Sequence, residues 1–198
     1  MYTSLETGAK EENYDVPVKI STMMESWSNQ GGYPLLTVER NYEEKTFKIT
    51  QKQFFNDATL SSERVWYIPF NFVAGDVPDF RDTEATHYLL NVKEMVVPNA
   101  PNKDDWLILN KQSTGYYRIM YDERNYELIS QGLQEQSHKI HPRNRAQLLQ
   151  DAYRFATSNR LKHEILFSLL SYLPAEDQYA PWSTANSIFY RHQSLFDW

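Results

Sequence analysis

The chain contains no cysteine, so disulfides, thiolate nucleophiles and thiolate-bound metals are excluded from it. It also lacks an Asn-X-Ser/Thr glycosylation sequon; neither absence assigns a compartment. None of its 6 glycines forms part of a G-x-G-x-x-G, a phosphate-cradling loop or a G-x-S-x-G elbow. Dinucleotide, P-loop and serine-hydrolase chemistry therefore have no sequence basis. Basic residues are in deficit, 20 Lys and Arg against 26 Asp and Glu for a net charge of −6, which leaves no electrostatic footprint for nucleic acid or an anionic membrane. The longest apolar window, around Ile165 to Leu170, falls far short of the roughly 20 residues of a membrane-spanning helix. Glu6, Lys10, Glu11 and Glu12 interrupt the opening segment, which is not expected to act as a signal peptide.

Aromatic residues, by contrast, are abundant. With 14 Tyr, 10 Phe and 5 Trp in 198 residues, the composition favours ordered β structure and a core of useful size. Residues 1–30 read as helical, because Ile20, Met23, Met24 and Trp27 recur at helical spacing before Gly31-Gly32 ends the pattern. From Pro34 the period becomes two. Leu36 and Val38, then Phe47 and Ile49, alternate with polar residues around the link Asn41 to Lys45, which predicts a hairpin. Trp66, Ile68, Phe70 and Phe72 make another inward face, with Pro69 marking an edge or bulge. A single strand is expected over Tyr88 to Val92, extending towards Val97, before a loop at Pro98 to Asn102. Trp106–Leu109 and Tyr116–Tyr121 follow as two strands around a polar turn whose Gly115 can take positive φ.

After Asp122, a plausible N-cap, the helical period returns. Tyr126, Ile129 and Leu133 mark one helix; Leu148, Ala152, Phe155 and Ala156 a second, with Asn159 as its C-terminal stop. Ile165 to Leu173 mark a third, ended by Pro174, and Pro181 opens a fourth carrying Trp182, Ala185, Ile188 and Phe189.

The titratable residues offer few constellations for chemistry. His163-Glu164 begins an H-E-x-x-H zinc motif, but position 167 is Phe and the second ligand is missing. His138 and His141 have a chelating spacing, yet Pro142 breaks the helix that would align them, and a helix–helix loop is the better reading. His87 and His192 stand alone. The carboxylate pairs Glu43-Glu44, Asp104-Asp105 and Glu176-Asp177 fall in expected turns, where solvated side chains outweigh paired acid–base work. Trp66, Tyr67, Phe70, Phe72, Tyr116, Tyr117 and Tyr121 could stack on a ligand, but strand spacing favours core. Arg118 is expected to meet a carboxylate across the sheet or between domains, and Arg143 and Arg145 beside Asp151 to act as helix-packing charges.

Three stretches carry a resemblance. Met24-Glu25-Ser26-Trp27 with Gln30 and Gly32-Tyr33-Pro34 comes first. Then comes Trp106-Leu107-Ile108-Leu109-Asn110 leading into Thr114-Gly115-Tyr116-Tyr117-Arg118-Ile119-Met120-Tyr121-Asp122. The last is Asn144-Arg145-Ala146-Gln147-Leu148-Leu149-Gln150-Asp151-Ala152. Together, in this order, they resemble the zinc aminopeptidase N family after its catalytic domain. The resemblance implies α+β structure in separate domains: a helical remnant over 1–32, a β-sandwich over 33–122 and the start of an α-solenoid over 123–198. In that family a zinc held by H-E-x-x-H and a distal glutamate activates water, a G-A-M-E-N-like strand binds the substrate amine, and a tyrosine stabilises the tetrahedral intermediate. None of these is in the chain, so no catalytic, cofactor-binding or metal residue is assigned, and zinc is implied for complete family members alone.

The resulting expectation is a non-catalytic scaffold and lid portion of a zinc metallo-aminopeptidase that removes N-terminal amino acids from peptides. It would pack on a zinc catalytic domain and meet peptide substrate through the parent enzyme, without nucleic acid. The alternative is a stand-alone truncated paralogue acting as a protein-binding module; an independent enzyme of another type ranks last. Family members are membrane-anchored, extracellular or cytosolic, and the sequence does not choose among them. Bare apolar surface at Ile188 and Phe189, where the solenoid is expected to break off, would favour self-association. The purified, metal-exchanged chain is expected to hold no stoichiometric zinc and to cleave no aminoacyl substrate; tight one-to-one zinc by elemental analysis would overturn this.

Overall fold

A computed structural model of the chain describes residues 2–12, 14, 16–75 and 77–193, with the backbone alone for Thr3, His192 and Gln193. The expectation for His192 therefore lies outside the described side chains. The described residues form helices α1 (Thr3–Glu11) and α2 (Ile20–Ser28), eight strands, and helices α3 (Glu123–Gln136), α4 (Pro142–Thr157), α5 (His163–Leu170) and α6 (Tyr179–Gln193). The architecture is α+β. The expected continuous helix over 1–30 is two helices, and Pro17, which fixes φ and has no N–H to donate, lies between them.

Strands β1 (Pro34–Asn41) and β2 (Thr46–Gln53) form the expected hairpin, with Val38 opposite Ile49 and Arg40 opposite Phe47. Its turn is closed by the Asn41 side chain, which accepts from the amides of Glu43 and Glu44, and by Lys45 in the left-handed region at φ 50°. β6 (Glu94–Pro98) joins β2 antiparallel, and β8 (Arg118–Tyr121) joins β1 parallel, giving a mixed sheet in the order β6-β2-β1-β8. β3 (Tyr67–Phe70) pairs with β5 (His87–Leu90), and β4 (Phe72–Ala74) with β7 (Leu107–Leu109).

Three expectations change here. The single strand expected from Tyr88 towards Val97 is two, β5 and β6, which lie in different sheets, with Asn91 between them in the left-handed region at φ 58°. The segments Trp106–Leu109 and Tyr116–Tyr121 do not pair with each other: β7 pairs with β4 and β8 with β1. The turn between them is irregular, with Asn110, Gln112 and Ser113 at φ 63°, 55° and 56°, while Gly115 is not in the positive-φ region. Gly115 is required for space instead, because a Cβ there would collide with the Tyr117 ring.

Alternate residues of the strands meet in one apolar core. Val38, Phe47, Ile49, Trp66, Ile68, Leu89, Val97 and Leu107 are all fully buried in it. The same cluster continues into the helices through Tyr126, Ile129, Leu149, Ala152 and Leu169. Leu35 points the other way and packs with Phe54 and Phe155 of α4. Helix α4 contacts α5 and α6, and α5 contacts α3. Asp122 caps α3 by accepting from the Asn125 amide at 2.9 Å, and Asn159 turns left-handed after α4 at φ 56°. The stripe on α2 packs on β3: Trp27 donates to the Tyr67 carbonyl at 2.9 Å and lies 6.3 Å from the Trp66 ring. Ile188 is buried at 3% exposure and Phe189 is half exposed, so the bare apolar surface expected at both is found at Phe189 alone.

Gln51 serves the core as a polar staple. Its amide oxygen accepts from the Trp66 amide at 2.8 Å, and its nitrogen donates to the carbonyls of Trp66 and Val92. Gln51→Leu leaves these buried backbone groups without partners and is expected to cost about 2–3 kcal/mol. Urea denaturation checks this, and a loss within the scatter of ordinary surface substitutions would show that the staple is dispensable.

Candidate functional site

The second and third resemblance motifs lie 22 residues or more apart in sequence yet meet in space, where the turn after β7 abuts the N-terminal half of α4. Asn110 closes the turn on itself: its amide oxygen accepts from Gly115 N at 2.7 Å and its nitrogen donates to Gly115 O. Asn71, the residue between β3 and β4, accepts from Lys111 N and from Asn110 N, through side chain and carbonyl respectively. Asn144 of α4 completes the chain, accepting from Gln112 N at 2.7 Å and donating to Asn110 O at 2.8 Å. Ser113 donates to Gln147, and Gln147 reaches the Tyr117 carbonyl.

Below this clasp sits an ion pair. Arg118 Nη1 lies 2.5 Å from Asp151 Oδ1, its Nε donates to the Tyr33 hydroxyl, and Ile119 N donates to Asp151 Oδ2 at 3.0 Å. Burial pushes the Asp151 carboxyl up to about 6, with Arg118 and the Ile119 amide pulling it back. Burial acts on Arg118 in the opposite sense, but Asp151 and Tyr33 more than restore it, so the guanidinium stays charged. Tyr117 is raised by burial alone. A second buried pair joins Arg145 bidentately to Glu176, 2.7 Å at each oxygen. Burial raises the Glu176 carboxyl, and Arg145, Gln178 N–H and the Tyr172 hydroxyl together bring it below its ordinary value.

The residues weighed from sequence are dispersed. His163 is exposed at the first turn of α5, and Phe167, 60% exposed, occupies the place of a second ligand. His138 lies exposed in the link before α4, while His141 caps α4, its Nδ1 accepting from Arg143 N at 3.3 Å. Burial lowers the His141 pKa, with Arg143 and Arg145 adding to it. His87 lies against Phe70 and Phe72, at 5.3 and 5.5 Å, and burial lowers it too. The predicted solvated turn holds for Glu43 and Glu44, but Glu176 is a correction: its side chain is fully buried on Arg145. Of the two arginines expected as helix-packing charges, Arg145 is buried on Glu176 while Arg143 is exposed, and Asp151 serves Arg118. Tyr117 and Tyr121 are core, whereas Tyr116 is 72% exposed. The sequence reading missed the asparagines: Asn71, Asn110, Asn125 and Asn144 are all buried. Asn125 accepts from Arg40 and Leu107 N and donates to Leu107 O.

Among the described residues, the motif side chains are occupied with one another. The same motifs lie within stretches that known proteins share. Residues 106–197 match the family model described as ERAP1-like C-terminal domain, which begins at Trp106 and takes in both motifs of the clasp. The chain is 35% identical, over 96% of its length, to Aminopeptidase N of Plutella xylostella. It is 33% identical over 93% to Membrane alanyl aminopeptidase of Heliothis virescens, and 27% over its full length to Aminopeptidase N of Homo sapiens. The chain corresponds to a C-terminal portion of the aminopeptidase N family. It spans about one fifth of the length of these relatives.

Asp151→Ala strands the Arg118 charge in a half-buried site and is expected to cost about 3–5 kcal/mol, whereas Arg118→Met with Asp151→Leu recovers most of it. The pH dependence has a definite sign. The folded carboxyl holds its proton more tightly than the unfolded value of 3.8, so the proton-linked part of its contribution is complete below that value and is lost as pH rises through about 6, where the ion pair with Arg118 remains. The stability of the native chain relative to Asp151→Asn should therefore fall over this window in denaturation series at stepped pH. A flat difference would show that Asp151 does not titrate there.

Proposed function

We propose that the chain is the non-catalytic scaffold and lid portion of a zinc metallo-aminopeptidase, the zinc and the reacting groups lying in a catalytic domain outside it. One observation carries this reading: the residues through which it resembles the family, Asn110, Gly115, Arg118, Asn144, Gln147 and Asp151, are engaged in mutual bonds that fix β8 and its turn against α4. A motif built for chemistry would aim such groups at a substrate. These groups set the angle between strand and helix. In the finer reading, residues 33–122 form a β-sandwich that braces the catalytic domain, and residues 123–198 begin an α-solenoid that closes over its active site. Residues 1–32 are then the end of the catalytic domain, its α2 stripe already docked on β3. Peptide substrate meets this portion through the parent enzyme.

A stand-alone binding module is the second reading, favoured by the exposure of Tyr116, Tyr179 and Tyr190 at 72%, 85% and 75%. The two separate on the intact mass of the endogenous protein that carries these peptides. A mass well above 23.5 kDa, with upstream peptides containing H-E-x-x-H, is the expected result. A mass equal to that of the chain would overturn the scaffold reading and turn the search to binding partners.

A further inference from the structure

A groove runs between α4 and α6. Two adjoining cavities of about 590 and 170 Å³ form it, sharing Gln150 and Thr184. The chain as a whole is acidic, at −6, but the groove reverses that sign. Arg118 and Arg143 line the larger cavity, Arg154 and Arg191 the smaller, and Asp151 is the one carboxylate among the lining residues. That carboxylate is already spent, one oxygen on Arg118 and the other on the Ile119 amide. Arg143 is exposed and makes no ion pair among the described residues. Arg118 Nη2 makes no hydrogen bond among them either, since its Nε and Nη1 serve Tyr33 and Asp151. Arg154 likewise makes no ion pair among the described residues, so Arg143 and Arg154 offer donors whose acceptors are not supplied by the groove's own walls. Its wide end is aromatic: Tyr116, 72% exposed, lies 5.3 Å from the Tyr33 ring.

We propose that this groove binds an acidic, extended peptide segment, its carboxylates on Arg143 and Arg154 of the α4 wall and an apolar side chain against Tyr33 and Tyr116. Guanidinium groups form charge-assisted bonds with carboxylates, and residues about five apart in an extended segment can reach both Arg143 and Arg154, which stand three helical turns, about 16 Å, apart on α4. A long polyanion such as a nucleic acid fits less well, because it would run out over the acidic remainder of the surface. The proposal stands on the groove itself and holds for either reading of the parent protein.

The test is fluorescence anisotropy with the 198-residue chain and a dye-labelled, end-capped hexapeptide of one leucine followed by glutamates. Saturable binding that weakens with salt is expected. It should fall about tenfold for the counterpart with glutamine in place of glutamate, and about tenfold for the double variant R143Q/R154Q. If that variant has a lowered Tm, Tyr116→Ala replaces it, with a several-fold loss expected from the missing apolar contact. Absence of saturable binding, equal affinity for the glutamine peptide, or unchanged affinity in the variants would overturn the proposal. So would equal affinity for a peptide whose one charge is a free C-terminal carboxylate, which would mean that a chain end is recognised, and so would tighter binding of an oligothymidylate.

Discussion

An irregular, half-buried turn has backbone groups that neither sheet nor helix can satisfy, and the fold is arranged around supplying them. Between Asn110 and Gly115 three non-glycine residues take left-handed dihedrals, each of which costs on the order of 1–3 kcal/mol unless its surroundings hold it. Buried N–H and C=O groups must be paired, and side-chain amides are suited to the task because one group carries both a donor and an acceptor. Asn110 spans the turn, Asn71 ties it to the β3–β4 break, and Asn144 ties it to α4. With these in place, β8 leaves the turn in one direction only, which sets its parallel pairing with β1.

The two buried ion pairs follow from that placement. Neither is a strong source of stability, since taking both charges out of water costs about as much as their attraction returns. What they add is discrimination. Arg118 can meet Asp151 only when β8 and α4 are in this register, and a bidentate Arg145–Glu176 pair tolerates little rotation of α4 against the turn before α6. Stability comes mainly from apolar burial, and the cluster runs unbroken from Phe47 and Trp66 in the strands to Leu149 and Leu169 in the helices. A polar seam crossing an apolar core is costly to misalign, and that cost makes the geometry specific.

Much of this was legible in the sequence where periodicity governs. The β1–β2 hairpin, the inward faces of Leu36, Val38, Phe47 and Ile49, the Asp122 cap and the helices after it all follow from spacing and from local turn chemistry. The irregular turn did not, because Gly115 drew attention as the expected left-handed residue while asparagine, glutamine and serine took that role. Partners across long sequence separations also escaped. Nothing local marks Glu176, 31 residues from Arg145, as buried rather than solvated. Nor does local pattern show that Trp106 slots between Gly75 and Gly132, where a Cβ on either would come within 2.8 or 2.7 Å of the indole. The motifs were recognisable as wording before their physical meaning was: they list the two halves of one contact.

Helix α4 shows why that contact matters beyond its own stability. Asn144, Leu148, Asp151 and Phe155 recur at helical spacing on its buried side, and they bind the turn, the core and β8. Arg143, Gln147, Gln150 and Arg154 recur one position away and line the groove toward α6. A rigid rod carries both rows, so any rotation that relaxed the seam would re-aim the arginines by the same angle. The seam therefore fixes more than the angle between strand and helix: it also holds the charged wall of the groove in register with Tyr33 and Tyr116, which reach it from the sheet side. In a scaffold, the same bonds that set the orientation of a lid thereby set the shape of the surface that the lid presents.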